Sequence, residues 1–484
     1  MHRVPSQKPG DTVLRRRRFS TRLRRVLGVP ELFAAGYGNV GSSIYYALGV
    51  VAVVAVGATP VALFVAGLFF ICTALTYAEG AAMFPEAGGS ASFARHGFNE
   101  FVSFTAGWAL MLSYIVTIAI SAYTMSPYLG YFWEPLKESQ VIGTLFSIGI
   151  VIFLMVINIL GAKESGIVNV LATIIDLLTQ AVLVILGFFF IFSLPVLFEN
   201  MFGNGHWPGM GNLIFGIALA SIAYTGVETI SQMAEETRLP QMRVPRALVY
   251  MMVAVVIIFS CISVIALCAM TPQVLVDEWA RDPVAGIANN LPFEWMRSFF
   301  EPLVGILAAT ILLIATNAGL MGISRLSFSM GGHGQLPSVL TRIHSRFRTP
   351  YISLILFTVI AVGILIPGMF SSGFFLDLGA LYTFGSLMAF MLAHAAILRL
   401  RHKRPDWTRP FRIKGNIHIA GRDFPVTTII GLGATALVWV VVLIQQPYAR
   451  YVGFAWLAIG LMGYVVYQRR SNLSVMRKRR YQGE

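Results

Sequence analysis

Residues 30–51 read PELFAAGYGNVGSSIYYALGVV, an apolar stretch interrupted near its middle by glycine, asparagine and serine. About 20 apolar residues in a helix cross the roughly 30 Å of a bilayer's hydrocarbon core. Backbone groups without partners at membrane depth are tolerated only where they line a cavity. The stretch therefore predicts a membrane-spanning helix that is broken at a binding site. The alternative is an unbroken helix whose small residues serve close packing.

A second stretch of the same kind occupies residues 211–233, GNLIFGIALASIAYTGVETISQM, with Ala-Tyr-Thr-Gly near its middle. It lies five apolar segments after the first. Corresponding broken segments in two halves of a chain indicate the binding site of a transporter. Because five is an odd number, the second half enters the membrane upside down relative to the first. The spacing predicts an inverted repeat of five plus five helices.

The composition agrees with a membrane protein. Of the 484 residues, 56% are hydrophobic and 12% are charged, and the mean hydropathy is +0.72. Soluble proteins carry about 25% charged residues, so a large water-soluble enzyme and a disordered chain are excluded. The predicted fold is an all-α polytopic membrane protein with twelve transmembrane helices, of which the last two follow the repeat. The twelve apolar runs lie at about 30–56, 59–84, 100–126, 141–160, 165–194, 211–234, 245–270, 299–324, 351–369, 375–399, 425–445 and 449–467.

The distribution of basic residues predicts the orientation. If the N-terminus is cytoplasmic, the only ones of the 36 Lys and Arg residues on the opposite side are Lys137, Arg281, Arg297 and Arg450. Cytoplasmic loops carry such an excess of positive charge. We therefore expect a multi-pass protein of the plasma membrane with both ends in the cytoplasm. The net charge of +14 then needs no nucleic-acid partner, and the basic tail is suited to anionic lipid headgroups.

This arrangement divides the chain into segments. The predicted division is a basic cytoplasmic tail at 1–28, a first repeat at 29–198, a second repeat at 199–400, a basic cytoplasmic loop at 401–424, the last two spans at 425–468 and a basic cytoplasmic tail at 469–484. The outer loop at about 271–298 mixes acidic and aromatic residues. It is expected either to form short interfacial helices or to be a solvated connector.

The two breaks have the polarity of a site for a zwitterion. The first amides of a helix segment lack internal partners and carry partial positive charge. The amides around Gly41, Ser42, Ser43 and Ile44 are therefore expected to hold a carboxylate. The carbonyls freed before each break, near Ala34 and Ala223, are expected to accept from an ammonium group. An amino acid carries both groups.

Four motifs along the chain resemble the amino acid–polyamine–organocation superfamily of secondary transporters. They are GSSIY at 41–45, YAE at 77–79 with FPEAGGS at 84–90, AYTGVE at 223–228, and GQLP at 334–337. The resemblance implies a leucine-transporter-like fold of five plus five inverted helices, and transport of amino acids, polyamines or potassium by alternating access. The substrate-binding residues so implied are Asn39, Gly41, Ser42, Ser43, Ile44, Ser113, Ala223, Tyr224, Thr225 and Gly226.

The chain departs from the superfamily pattern at points that bear on the substrate. Ser43 stands where many members have glycine, which either narrows the pocket or supplies a further ligand. Potassium-importing relatives carry aspartates in the first and third helices, whereas Asn39 and Ser113 match those positions here. The loss of two anionic ligands disfavours a bare cation as the substrate.

Asp176 is a charge deep in the fifth apolar run, at a position where proton-coupled members often carry lysine. An aspartate at the centre of a membrane helix costs about 2.5–3.5 kcal/mol on insertion scales, so it needs a cavity, a partner or a proton. It is interpreted as the coupling site, either for a proton or within a sodium ligand set with Thr316 and Asn317. The alternative is a structural acid paired with Gln180.

Glu228 follows the sixth-helix break. The resemblance implies gating or proton sensing there, and a structural hydrogen bond to the unwound backbone is the alternative.

The expected function is proton-coupled import of an amino acid. A potassium or other cation symporter, an amino acid or polyamine exchanger, and a sensor without turnover are the alternatives. The sequence carries no phosphate-binding loop, zinc-ligand spacing or nucleophile elbow, so no catalysis, no cofactor and no bound metal is expected. The expected partners are a small-molecule substrate, a proton or sodium ion, and membrane lipids.

Overall fold

The structure is a computed structural model that describes residues 27–161, 166–347, 349–371, 373–419 and 422–482. Most of the predicted tail at 1–28 lies outside the described residues. The helices are α1 Val29–Val40, α2 Ile44–Ala55, α3 Thr59–Met83, α4 Ser90–Gly97, α5 Glu100–Leu129, α6 Pro135–Glu138, α7 Gln140–Leu160, α8 Gly166–Phe190, α9 Leu194–Phe202, α10 Met210–Ala220, α11 Val227–Gln232, α12 Pro240–Ala269, α13 Pro272–Asp277, α14 Pro283–Asn289, α15 Glu294–Gly332, α16 Tyr351–Leu365, α17 Phe374–Lys403, α18 Val426–Gln445 and α19 Pro447–Gln482. The strands are β1 Asn416–Ile419 and β2 Arg422–Pro425.

Within the described residues, 11 helical segments are long and apolar enough to cross a membrane. The chain is therefore a polytopic, mainly helical membrane protein. The first segment, Val29–Met83, contains 55 residues, which at 1.5 Å per residue span about 80 Å. It combines α1, α2 and α3, and it is interrupted at Val56, where φ is +46°.

The two predicted broken helices lie side by side. The first consists of α1, a 3₁₀ turn at Gly41–Ser43 and α2, and the second of α10, a 3₁₀ turn at Ser221–Tyr224 and α11. Helix α1 packs against α11, α2 packs against α10, and the two turns touch. Because the first half of each helix meets the second half of the other, the pair is antiparallel.

The ends of this pair are tied together by backbone hydrogen bonds. The Leu27 amide donates to the Glu236 carbonyl at 3.1 Å, and the Arg238 amide donates to the Leu27 carbonyl at 3.0 Å. Around the pair, α3 packs on α12, and α5 packs on both α15 and α17. Helix α19 is fixed to α5 by a reciprocal pair of hydrogen bonds, in which each indole of Trp108 and Trp456 donates to the other residue's carbonyl at 2.8 and 2.9 Å.

Two connecting segments contain regular structure. The basic loop predicted at 401–424 begins inside α17 and carries the antiparallel hairpin β1–β2, in which Asn416 pairs with Pro425. The hairpin was not predicted, because strands of only four residues carry too short a pattern to be distinguished from a loop. The loop after α12 contains α13 and α14, so short helices form there, as in the first of the two alternatives.

Candidate functional site

The break between α10 and α11 is a true interruption of the helical backbone. Thr225 is extended, with ψ of 153°, and Gly226 has φ of +110°. A left-handed backbone of this kind favours glycine, which has no Cβ. The freed Gly226 amide donates to the Glu228 carboxylate at 3.1 Å, and the Thr225 hydroxyl donates to the Ile222 carbonyl at 2.8 Å. Glu228 therefore accepts a hydrogen bond from the unwound backbone, which is the structural alternative considered for this residue.

The first-helix break tightens into a 3₁₀ turn and does not unwind. The Gly41 amide donates to the Tyr37 carbonyl, and the Ile44 amide donates to the Gly41 carbonyl. Gly41 keeps helical dihedral angles, with φ of −62° and ψ of −33°. The expectation of free amides at Gly41 and Ile44 is therefore wrong for this conformation, because a 3₁₀ turn pairs amides that an unwound segment would leave open.

The serine hydroxyls of the first break also bond within the helix. Ser42 donates to the Asn39 carbonyl at 2.8 Å, and the Ser43 and Tyr46 hydroxyls are 2.9 Å apart. Ser43 therefore stabilises the turn in this conformation, a role that the sequence analysis did not consider.

Asn39 joins the two breaks. Its Nδ2 donates to the Thr229 hydroxyl at 2.8 Å. The same atom lies beside Gly226, where an added Cβ would approach it to 2.7 Å. The structure thus brings Asn39 to Gly226, as the predicted site requires, and adds Thr229, which the sequence analysis missed.

Asp176 lies at the centre of a buried hydrogen-bond cluster, with 1% of its surface exposed. The Tyr45 hydroxyl donates to Oδ1 at 2.6 Å, and Gln180 Nε2 donates to Oδ2 at 2.8 Å. The Tyr37 hydroxyl in turn donates to Gln180 Oε1 at 3.1 Å. Within the described part of the chain, Asp176 forms no ion pair with lysine, arginine or histidine.

The pairing with Gln180 agrees with the sequence analysis, but the tyrosines of the first span were missed. Tyr37 and Tyr45 are fully buried, and a buried tyrosine usually finds a partner for its hydroxyl. The presence of two tyrosines inside one spanning segment was the sequence feature that could have indicated a buried polar partner there.

Thr316 and Asn317, the other members of the predicted sodium ligand set, have hydrogen-bond partners of their own. Thr316 donates to the Leu312 carbonyl at 2.8 Å, and Asn317 Oδ1 accepts from Asn158 at 2.5 Å. Neither of these two bonds involves Asp176.

Glu228 lies in a second buried cluster, close enough to Tyr77, Tyr114 and Tyr382 to interact with them electrostatically. Buried polar groups in proteins normally have hydrogen-bond partners. Polar side chains lie beside these tyrosines, Ser90 beside Tyr77, Gln232 beside Tyr114 and Ser113 beside Tyr382. Ser113 therefore lies in this cluster, and its part in substrate binding stays a prediction.

A cavity of about 180 Å³ lies between α1, α8, α11 and α15. Among the described residues, the charged side chains in its lining are Glu31 and Arg325, and Arg325 pairs with Glu236 at 3.2 Å. Of the predicted site residues only Asn317 lines it, together with Thr229 and Gln232. The rest of the lining is Leu27, Ala34, Ala35, Val170, Thr173, Met233, Ile314, Ala318, Met321 and Gly322. Gly41–Ile44 and Ala223–Gly226 are buried behind this wall.

The chain is similar to known transporters along most of its length. It is 28% identical to the branched-chain amino acid permease BcaP of Bacillus subtilis (strain 168), over 93% of this chain and 94% of the relative. It is 25% identical to the methylthioribose transporter of the same organism, over 94% and 95%. It is 26% identical to the vacuolar cationic amino acid transporter 4 of Arabidopsis thaliana, over 79% and 64%.

The broken helices, their buried polar clusters and the cavity beside them agree with these similarities. The family model for amino acid permeases matches residues 27–467. The chain therefore belongs to the amino acid permease family, within the superfamily whose motifs it resembles, and it is a transporter and not an enzyme.

Proposed function

We propose that this protein imports a neutral amino acid with an aliphatic side chain, together with a proton, by alternating access. The observation that carries the proposal is the chemistry of the cavity beside the breaks. Its depth is lined by apolar side chains and by neutral polar ones, Thr173, Thr229, Gln232 and Asn317, while its charged residues, Glu31 and Arg325, lie near the ends of helical segments.

The cavity chemistry suits a neutral solute. A cationic side chain is best held by a carboxylate in the pocket wall, and Glu31, the acid found in the lining within the described residues, already binds the Gly28 amide at 2.8 Å. An aliphatic side chain gains about 25 cal/mol for each Å² of apolar surface that leaves water. The similarity to a branched-chain amino acid permease supports the same substrate class.

The breaks are proposed to recognise the two charged ends of the amino acid. Backbone donors and acceptors of half-helices hold such groups in transporters of this architecture. The proposed substrate-binding residues remain Asn39, Gly41, Ser42, Ser43, Ile44, Ser113, Ala223, Tyr224, Thr225 and Gly226, to which we add Thr229 and Gln232. Because the first break is paired in this conformation, substrate recognition requires its 3₁₀ turn to open.

Asp176 is proposed as the proton site. A buried carboxylate is unfavourable as an anion unless it is paired or hydrogen-bonded, and Asp176 has two donors and no cation among the described residues. Glu228 is a second candidate, because its carboxylate holds the Gly226 amide of the broken helix. A sodium ligand set with Thr316 and Asn317 has less support.

The architecture proposed for this function has twelve spans. The first apolar segment crosses twice, as α1–α2 and as α3. The inverted repeats are proposed to occupy 29–198 and 199–400, with two further spans at 425–468. The antiparallel packing of the two broken helices supports the inversion. Both ends are placed in the cytoplasm and the protein in the plasma membrane, on the distribution of its basic residues.

Uptake into proteoliposomes tests the proposal. The purified protein is assayed with labelled leucine, valine, arginine and rubidium, with and without an inward proton gradient. We expect accumulation of leucine or valine that requires the gradient. Gradient-driven uptake of arginine alone would show that the substrate is a cationic amino acid. Rubidium uptake without amino acid uptake would show that the protein is a cation symporter.

A further inference from the structure

The segment between α12 and α15, which we call the α13–α14 segment (residues 271–290), is seated directly on α2. A Cβ added at Gly49 of α2 would overlap the carbonyl of Ala280. Leu275 and Val284 of the segment are fully buried. The backbone of the segment therefore touches the backbone of α2, so a small displacement of either element is felt by the other.

Polar contacts tie the same segment to α5 and α6. Lys137 Nζ donates to Asp282 at 2.7 Å and lies 4.0 Å from the ring centre of Trp279. Arg281 donates to the Lys137 carbonyl at 2.7 Å. These contacts fix the middle of the segment, between α13 and α14, but do not reach the buried clusters.

Tyr128 of α5 connects the segment to the Asp176 cluster. Its hydroxyl accepts the Val284 amide at 3.3 Å and donates to the Tyr45 carbonyl at 2.9 Å. The rings of Tyr128 and Tyr45 pack edge to face with their centres 5.3 Å apart. Since the Tyr45 hydroxyl donates to Asp176 at 2.6 Å, a continuous line of contacts runs from the α13–α14 segment to the carboxylate.

We propose that Tyr128 is a positioning residue that couples the seating of the α13–α14 segment to the protonation of Asp176. The inference rests on the proton-coupling role proposed for Asp176. The hydrogen bonds of Asp176 determine which of its carboxylate oxygens takes up the proton. Gln180 Nε2 can only donate to Oδ2, so an added proton resides on Oδ1 and donates to Tyr45. The Tyr45 hydroxyl hydrogen then loses its acceptor, Tyr45 and Tyr128 shift, and the segment loosens.

Other ionisable groups must be separated from this effect. Those near Asp176 in the described residues are the hydroxyls of Tyr37, Tyr45 and Tyr128. The segment itself carries Asp277, Glu278, Arg281 and Asp282. The charged groups that face it are Glu134, Lys137, Glu138 and Glu301. Burial raises the pKa of Asp282, although Lys137 opposes the rise. Asp282 is therefore the rival source of any pH dependence of the segment.

The test uses a thiol reporter in the full-length protein, with Cys72, Cys261 and Cys268 replaced by serine. A cysteine at Ala288, which is fully buried, reports loosening of the segment. A cysteine at Gln273, which is exposed on the same segment, corrects for the change of thiol reactivity with pH. The ratio of the two labelling rates is measured across the pH range in which uptake titrates, with Tyr128→Phe, Asp176→Asn and Asp282→Asn.

We expect the ratio to rise about fivefold as the pH falls, the effect of one hydrogen bond of about 1 kcal/mol. It should be independent of pH in Tyr128→Phe and in Asp176→Asn, and should still respond in Asp282→Asn. A ratio that keeps its pH response in Tyr128→Phe, or loses it in Asp282→Asn, would overturn the inference. Proton-driven uptake that persists in Asp176→Asn would instead refute the coupling role of Asp176.

Discussion

At Gly226 the backbone and the packing both exclude a side chain. The residue has φ of +110°, and a Cβ would lie 2.7 Å from Asn39 Nδ2. A non-glycine residue in such a conformation costs about 1–3 kcal/mol. We expect Gly226→Ala to lower the free energy of unfolding by at least about 1 kcal/mol and to abolish uptake, because Asn39 must move away from the break.

The matched control for this prediction is Gly363→Ala. Gly363 lies inside α16, and a Cβ there meets nothing within 4 Å. Alanine in a helix is more favourable than glycine by about 0.5–1 kcal/mol, so this variant should retain uptake and a melting temperature at or above the parent's. Thermal unfolding of the purified variants and uptake of leucine measure both quantities. Full uptake by Gly226→Ala would show that the break does not take part in transport.

The substitution Asp176→Asn tests whether this single residue carries the coupled proton. Asparagine keeps the shape of the side chain and accepts from Tyr45 or Gln180, but it cannot take up a proton. We expect accumulation driven by a pH gradient to fall at least tenfold, while exchange of labelled for unlabelled substrate continues. Asp377→Asn, on a half-buried acid in the first turn of α17, is the control and should leave both activities intact. Uphill uptake at the parent's rate in Asp176→Asn would remove the coupling proposal.

At the scale of elements, Glu79 holds α3, α17 and the segment before the hairpin together. Its carboxylate accepts two hydrogen bonds from Arg401 at 2.7 and 2.5 Å and a third from the Ile413 amide at 3.1 Å. Glu79 is fully buried and Arg401 is 3% exposed. Removing one member of a buried ion pair leaves an uncompensated charge and typically costs about 3–5 kcal/mol.

We therefore expect Glu79→Gln to lower the melting temperature markedly, and the double variant with Arg401→Gln to recover part of the loss. Asp423→Asn is the control, because its ion pair with Arg412 is half exposed. Exposed pairs contribute about 0–1 kcal/mol. If Glu79→Gln and Asp423→Asn shifted the melting temperature equally, burial of the first pair would have no energetic consequence. Thermal unfolding in one detergent measures all of these variants.

The turn between α3 and α4 gives a prediction about pH. A hydrogen bond with His96, then the bond from Ser92 and the charge of Arg95, lower the pKa of Glu86 to about 2 although burial opposes them. A carboxyl whose pKa is lowered on folding stabilises the protein above its ordinary value of 4.5, and this contribution is lost as the pH falls from about 4.5 towards 2. When the pH is lowered from about 6 to about 3.5, the melting temperature of Glu86→Gln should fall less than that of the parent. Parallel curves for both proteins would contradict the assignment.

The sequence predicted the elements better than the contacts between them. The apolar run at 59–84 became α3, Thr59–Met83, and the run at 141–160 became α7, Gln140–Leu160, because hydrophobic length alone determines such spans. The break at Gly226 was predictable from its glycine. The 3₁₀ turn at Gly41 was not, since glycine and serine are equally compatible with a tightened helix. Which residues meet Asp176 depends on the rotation of neighbouring helices, which hydropathy does not determine.

At the scale of the whole molecule, the cavity and the α13–α14 segment describe one state of a transport cycle. The cavity reaches Gln232 and Thr229 beside the breaks, and Glu31 and Arg325 line it. The Arg325 end of α15 lies on the side where the basic residues accumulate, which we propose is the cytoplasm. At the other end of α15, the α13–α14 segment covers α2. We therefore propose that the structure corresponds to a conformation that is open towards the cytoplasm and closed towards the outside.

Cysteine labelling tests this orientation. Ala318 lines the cavity, whereas Ala315, on the same helix, is fully buried and is not among the lining residues of this cavity. In a cysteine-free background we expect Ala318→Cys to react with a membrane-impermeant thiol reagent at least tenfold faster in inside-out vesicles than in right-side-out vesicles, because we propose that the cavity opens to the cytoplasm. Leucine should slow the reaction, since substrate either occupies the cavity or shifts the protein towards its outward-open state. Ala315→Cys should stay unreactive from both sides. Faster labelling of Ala318→Cys from the outside would reverse the proposed topology, whereas labelling that leucine does not change would separate this cavity from the substrate path.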